Sequence, residues 1–207
     1  VALFEQEKCL HAIEDNSANN TAEVINIQIA EIIKDTGYDS SKWDGIALSG
    51  GPGSYTGLRI GASSAKGICF ARHLPLIHID TTLIMALSAK NNYTADYYLA
   101  SIDARRNDIF YALYGQNMEV EMPIAFSTLH AELFSLYDNA QTCVTGSGAN
   151  KVSQMFSNIK IVDVKPSAKN MGEVALQKFL LGEFEDVAYY EPKYHKDFYT
   201  TYKPKSL

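Results

Sequence analysis

An apolar run, a turn of closely spaced glycines and a helix-like run follow one another twice in this sequence, around residues 48–53 and 144–148. A buried strand that turns sharply into a helix is the repeating unit of α/β architecture, so this recurrence constrains the fold strongly and hints at two related lobes. The first turn is the richer: residues 47–61 read ALSGGPGSYTGLRIG, with five glycines and one proline. Such loops often bind phosphate, because a helix N-terminus exposes unpaired N–H groups. The spacing fits none of the standard motifs. Gly51, Gly53 and Gly57 form GxGxxxG, one residue too long for a dinucleotide fingerprint. Gly57 is followed by Leu58 and Arg59 where a Walker loop needs Lys and Ser or Thr, and Pro52 stands where a nucleophile elbow needs glycine. A generic anion site assisted by Arg59 stays open beside the plainer reading, in which the glycines turn the chain and let backbones pack closely.

The pattern predicts a β-hairpin from apolar stretches at 1–3 and 9–13, then a helix over 21–35 with Thr21 as N-cap and Gly37 just past its end. A buried strand over 44–49, helices over 60–72 and 82–90 and a strand over 74–79 complete the first half. Polar residues 90–94 join two lobes, 1–92 and 93–207 with its tail. In the second half strands are expected at 97–103, 109–114, 142–145 and 159–164, and helices at 129–137, 151–156 and 170–181, the last ending at Gly182. Alternation in both halves argues for α/β with mixed sheets flanked by helices.

Composition narrows the function. The 207 residues carry a net charge of −6, which disfavours a chain that holds nucleic acid through phosphate contacts alone. Cys9, Cys69 and Cys143 are odd in number, far apart and without CxxC spacing. That pattern fits a reducing cytoplasm rather than a disulfide framework. No apolar run approaches the roughly 20 residues that span a bilayer, so no membrane role is expected.

The two helices beside the glycine loop are unusual. In 21–35, Ile25, Ile29, Ile32 and Ile33 form one stripe at about 100° per residue, while Val24 and Ile27 fall outside it. In 60–72, Gly61, Ala62, Ser63, Ser64, Ala65 and Gly67 are all small, which lets another helix approach closely. Exposed apolar surface usually marks a partner site. The candidate interface is Val24, Ile25, Ile27, Gln28, Ile32, Arg59, Gly61, Ala62, Ala65, Ile68 and Cys69. The competing expectation is that the small residues merely pack on the chain's own sheet.

Other charged clusters read as structural. Asp103-Ala104-Arg105-Arg106 suits a polar hairpin turn with a local ion pair, with an anion or partner-carboxylate site as the alternative, and the Tyr- and Lys-rich tail from Glu191 suits a solvated or partner-draped segment, with RNA contact as the alternative. The five histidines, at 11, 73, 78, 130 and 195, contain no HxxxH pair, and no catalytic, cofactor or metal residue is assigned.

GPGSYTGLRIG followed by AKGICFARHLPLIHIDT, the stretch SIDARRNDIFYALY, the turn VTGSGA and the ending YYEPKYHKDF together resemble the TsaB (YeaZ) family over nearly the whole chain. The glycine loop alone is shared with the catalytic paralogue TsaD. The resemblance implies the actin-like ATPase (ASKHA) fold. It also implies an opening strand that ends in an Asp-Thr-Ser-like turn, which has no counterpart in this sequence. TsaD-like proteins place two histidines four apart, about one helical turn, where both rings reach one metal. Aligned through Pro75, those positions are Thr81 and Met85. The expected role is therefore a non-catalytic subunit of the complex that forms N6-threonylcarbamoyladenosine on tRNA. It would pair with a TsaD-like protein as a heterodimer through 21–35 and 60–72, or with itself as a homodimer. A TsaE-like ATPase would join the larger complex, tRNA would be contacted indirectly, and no cofactor would be needed. Gly50, Gly51, Pro52, Gly53 and Gly57 would then be a structural loop. The alternative is an enzyme, either a nucleotide-hydrolysing ASKHA protein or a metallopeptidase of the M22-like type.

Overall fold

The computed structural model describes residues 1–15 and 21–195; the expected Thr21 side-chain cap and the tail beyond His195 lie outside the described residues. The first half opens with an antiparallel hairpin, β1 (Ala2–Glu5) and β2 (Lys8–Ala12). Helix α1 (Thr21–Thr36) follows and stops at Gly37, whose φ of 64° suits a residue without Cβ and whose amide donates to Ile33 O. Strand β3 (Ile46–Ser49), helix α2 (Tyr55–Arg72), strand β4 (Leu76–Ile79) and helix α3 (Thr81–Lys90) come next, with β3 and β4 parallel.

The second half is built on β5 (Tyr97–Asp103), β6 (Asp108–Gly115), β7 (Val120–Thr128), β8 (Thr142–Thr145) and β9 (Lys160–Ile161), with α4 (Ala149–Met155) and α5 (Gly172–Leu181). The sheet order is β7-β6-β5-β8-β9; the hairpin side is antiparallel and the β5-β8-β9 side parallel. Along β5 the side chains alternate between two cores, as the pleat requires. Leu99 faces Leu113, Val144 and α4 residues Ala149 and Val152. Tyr98 and Ala100 face Ala112, Cys143 and α3 residues Met85, Ala86 and Ala89. Alanines on both sides of that second contact let α3 lie close to the sheet.

The first half repeats this order with a gap. Hairpin β1–β2 corresponds to β6–β7 and the pair β3–β4 to β8–β9, but they form two separate two-stranded sheets. The place that β5 holds has no strand among the described residues. Both small sheets lie between the same layers. Helices α1 and α2 cover one side, and α5 returns from the second half to cover the other. Phe4 of β1 meets the start of α5 at Gly172. Met171, Val174 and Phe179 pack on Ile77 and Ile79 of β4. Covered on both sides, all four residues of β4 are buried.

Three local expectations need correction. Residues 129–137 do not form an α-helix; they make turns ending in a short 3-10 segment, Ser135–Tyr137. Leu129 is held at both its amide and its carbonyl by Asn107 in the β5–β6 turn, which stops a helix from starting there. Strand β7 was not anticipated, because Pro123 interrupts its apolar pattern. It is an edge strand, the position where a missing N–H is tolerated. Helix α2 begins five residues before the expected Ile60. Ser54 caps it by accepting from the Gly57 amide at 3.3 Å, so Gly57 lies in the first helical turn rather than in the loop.

Candidate partner-binding site

The glycine loop spends its backbone groups on the chain itself. The Gly50 amide donates to Ile79 O at 2.9 Å, Gly51 O accepts from the Thr81 amide at 2.8 Å, and Gly50 O accepts from the Lys193 amide at 2.9 Å. A Cβ on Gly50 would sit 2.0 Å from His78 Nδ1 and 2.5 Å from Tyr190 Oη; one on Gly51, whose φ is 121°, would sit 2.3 Å from Lys193 O. These glycines make room for neighbouring parts of the same chain. The chain runs against this loop before and into the tail: Tyr190 is 6% exposed and joins a core with Leu48, Ala62, Ala65, Cys69 and Leu76, and Pro192 is buried, while Glu191 and Lys193 are exposed as expected of a solvated tail.

Beneath the loop lies a buried polar group. His78, 5% exposed, holds Asp80 at 2.8 Å through Nε2 and Tyr190 Oη at 3.0 Å through Nδ1. An imidazole that donates from Nε2 to the carboxylate has Nδ1 available to accept from the Tyr190 hydroxyl. Burial works to raise the Asp80 pKa, but the His78 hydrogen bond and the electrostatic influence of His78, Lys193 and His195 outweigh it and leave it lowered. Burial lowers the His195 pKa, with Lys193 and His78 acting in the same direction and Asp80 against. Burial raises the Tyr190 hydroxyl pKa.

Thr81 and Met85, the positions compared with the paired histidines, are engaged elsewhere. The Thr81 hydroxyl shares a 2.7 Å hydrogen bond with Ser49. Met85, 2% exposed, packs into the α3 core against the Gly146 turn. Among the described residues no group of three or more His, Cys, Asp or Glu side chains is placed to hold a metal ion.

The candidate interface divides. Ile32, Ala62, Ala65 and Cys69 are 3%, 4%, 6% and 1% exposed, so they belong to the chain's own core and not to a free face. On α2 the spacing 58, 62, 65, 69 follows one side of the helix, and that side rests on β3 and β4. Val24, Ile25, Gln28, Gly61 and Ile68 are half-buried, and Arg59 is exposed. Val24, Ile25 and Gln28 line a cleft of about 690 Å³ between α1, the end of β2 and residues 164–170. The outward sides carry Ile27, 55% exposed, on α1, and Phe70, 78% exposed, on α2. An added Cβ at Gly61 or Gly67 would meet nothing within 4 Å. Phe70 was missed by sequence reasoning, although it shares a helical side with Ser63 and Gly67. At the Asp103 turn the ion-pair partner is Lys151 at 2.7 Å rather than a neighbouring arginine.

The TsaD family model, described as tRNA N6-adenosine threonylcarbamoyltransferase, matches residues 15–189. The chain belongs to the TsaD family, in its TsaB (YeaZ) branch. A TsaB relative from Haemophilus influenzae, named a tRNA threonylcarbamoyladenosine biosynthesis protein, is 34% identical over 54% of this chain. That match spans 47% of the relative's length, less than half. The Escherichia coli TsaB is 29% identical over 80% of this chain and 76% of its own length. The structure of YeaZ from Pseudomonas aeruginosa superposes with a TM-score of 0.78 at 22% identity, covering 93% of each chain. A second Pseudomonas aeruginosa structure, described as an uncharacterized protein similar to peptidase YeaZ, gives 0.79 at 23% identity, covering 94% of this chain and 93% of that one. The α/β fold is thus that of the TsaB branch, of the actin-like type. Among the described residues no helix is long and apolar enough to cross a membrane.

Proposed function

We propose that the chain is a non-catalytic cytoplasmic subunit of the system that forms threonylcarbamoyladenosine on tRNA, and that it binds a TsaD-like partner through the outward sides of α1 and α2. The observation that carries this reading is the pairing of large exposed apolar side chains, Ile27 and Phe70, with a glycine whose surroundings are open, Gly67, on the same side of α2 as Phe70. Large apolar groups give a partner helix something to bury, and glycines let its backbone come near. The engagement of Thr81 and Met85 in internal packing supports a supporting rather than a catalytic role. In this reading residues 1–92 form the docking lobe and 93–207 the second lobe, whose α5 braces the first. The same face pairs two copies when the partner is missing, and a TsaE-like ATPase joins the assembled complex.

The test is co-purification with TsaD from the same organism, alongside reconstituted tRNA modification. Wild type is expected to bind TsaD and raise the modification rate while showing no transferase activity alone. Ile27→Asp with Phe70→Asp is expected to abolish binding with unchanged circular dichroism. Full TsaD activity without this chain, or wild-type-like binding by the double variant, overturns the reading.

A further inference from the structure

The segment 185–195 crosses the glycine loop and runs along α2, and it is tied at intervals along its length. The Glu185 amide donates to Leu76 O at 2.8 Å. Lys66 Nζ donates to Ala188 O at 3.2 Å and to Tyr190 O at 2.9 Å. The Tyr190 hydroxyl meets His78, and the Lys193 amide donates to Gly50 O. Arg59 Nε donates to the Tyr194 hydroxyl at 3.1 Å while its guanidinium lies 4.3 Å from the Tyr55 ring centroid, and the Tyr55 and Tyr194 rings are 4.9 Å apart.

Helix α2 packs on β3, β4 and α1, but mostly through small side chains. Its buried side offers Leu58, Ala62, Ala65 and Cys69, of which only Leu58 is large. Burial free energy scales with apolar area, so the three smaller side chains contribute modestly. Its interior glycines, Gly61 and Gly67, each cost the helix about 1 kcal/mol relative to alanine. At about 100° per residue, the strap-bound positions 55, 59 and 66 fall between the buried side and the outward stripe of 63, 67 and 70. The segment lies along the border of the face proposed above.

We propose that residues 185–195 act as a strap that fixes the pose of α2, and so presents the partner-binding face, with Lys66, Arg59, Tyr190 and Tyr194 as its positioning residues. This inference rests on the reading that α1 and α2 form that face. It assigns the tail, not an anion, as the occupant of the glycine loop. It also gives Lys66 a role: one ammonium gathers two strap carbonyls that would otherwise lack a protein donor on α2. A face held in its bound pose before contact avoids ordering costs during association.

The experiment releases the strap without touching the outward stripe, using Lys66→Met combined with Tyr190→Phe and Tyr194→Phe. Three readouts separate the possibilities. Hydrogen exchange at the Lys193 amide reports whether the strap lets go; an increase of about tenfold or more is expected. Spin labels at Ser63→Cys and Glu121→Cys, in a Cys9→Ser background, report the pose of α2 against β7, and the distance distribution is expected to broaden. Affinity for TsaD, measured on unlabelled protein, is expected to fall several-fold while helix content by circular dichroism is unchanged. A freed strap with an unchanged distance distribution overturns the proposal whether or not TsaD binds. Strap amides that stay protected overturn it too, because the named ties would then not be what holds the segment. A broadened distribution in a chain whose wild type never binds TsaD upholds the strap's hold on α2 but sinks the partner reading and the presenting role with it.

Discussion

The Lys193 amide donates to the Gly50 carbonyl across a sequence separation of 143 residues, and the glycine at position 50 leaves room for the His78 and Tyr190 side chains packed against it. A side chain there has nowhere to go, since His78 and Tyr190 are both buried. Gly50→Ala is expected to destabilise the protein by about 1–3 kcal/mol through overpacking. Gly53→Ala, whose Cβ would lie 3.7 Å from the Leu58 side chain in ordinary contact, is expected to cost well under that. Urea unfolding of the two variants side by side makes the comparison; equal midpoints would refute it.

The division of α2 into a buried and an outward side gives a second pair. Ala65→Arg forces a charge into the core with Leu48 and Leu76 and is expected to unfold the chain. Gly67→Ala adds helix propensity in open space and is expected to raise stability by about 1 kcal/mol. Gly67→Arg is expected to leave folding intact and to prevent co-purification with TsaD. Thermal melts and pull-downs on the three variants distinguish loss of fold from loss of docking.

Thr82 and Tyr114 share a 2.8 Å hydrogen bond inside the α3–β6 contact, where they are 0% and 3% exposed. Burial pushes the Tyr114 hydroxyl pKa up to about 12, with the Thr82 hydrogen bond acting in the opposite direction. Tyr114→Phe leaves the threonine hydroxyl buried without its partner and is expected to cost about 1–3 kcal/mol. Adding Thr82→Val removes the orphan and is expected to recover part of the loss. A double-mutant cycle from denaturant midpoints reads the coupling.

Acid is expected to weaken the glycine-loop region in two stages. His195 has its folded pKa below 6.5, so the unfolded chain takes up a proton first as pH falls below 6.5, and the stability it contributes is lost through that window. Asp80 has its folded pKa below 3.8, so its contribution persists to lower pH and is lost as pH falls from about 3.8 through the folded value. Urea midpoints from pH 8 to pH 3 check the sign, and His195→Asn should remove the upper stage alone.

Much of this molecule was legible from its residues because local signals agreed with tertiary ones. Residues 97–103 read as a strand and are one, since both faces of β5 are apolar and both are covered. Gly37 and Gly182 ended their helices as expected, each at a positive φ. What escaped depended on distant partners. Tyr190 and Lys193 looked like tail residues because their anchors, Lys66 and Gly50, lie more than a hundred positions away. Small side chains on both sides of α2 marked it as unusual, but smallness does not say which side faces in. Only the packing of Ala62, Ala65 and Cys69 under the sheet set the phase.

The crossing of residues 185–195 over the glycine loop also ties the two halves of the chain together. Glu185, Tyr190 and Lys193 follow α5 in sequence, yet they bond to Leu76, His78 and Gly50 of the first half. Neither half can loosen without breaking these bonds, so heat or urea is expected to unfold both in a single cooperative transition.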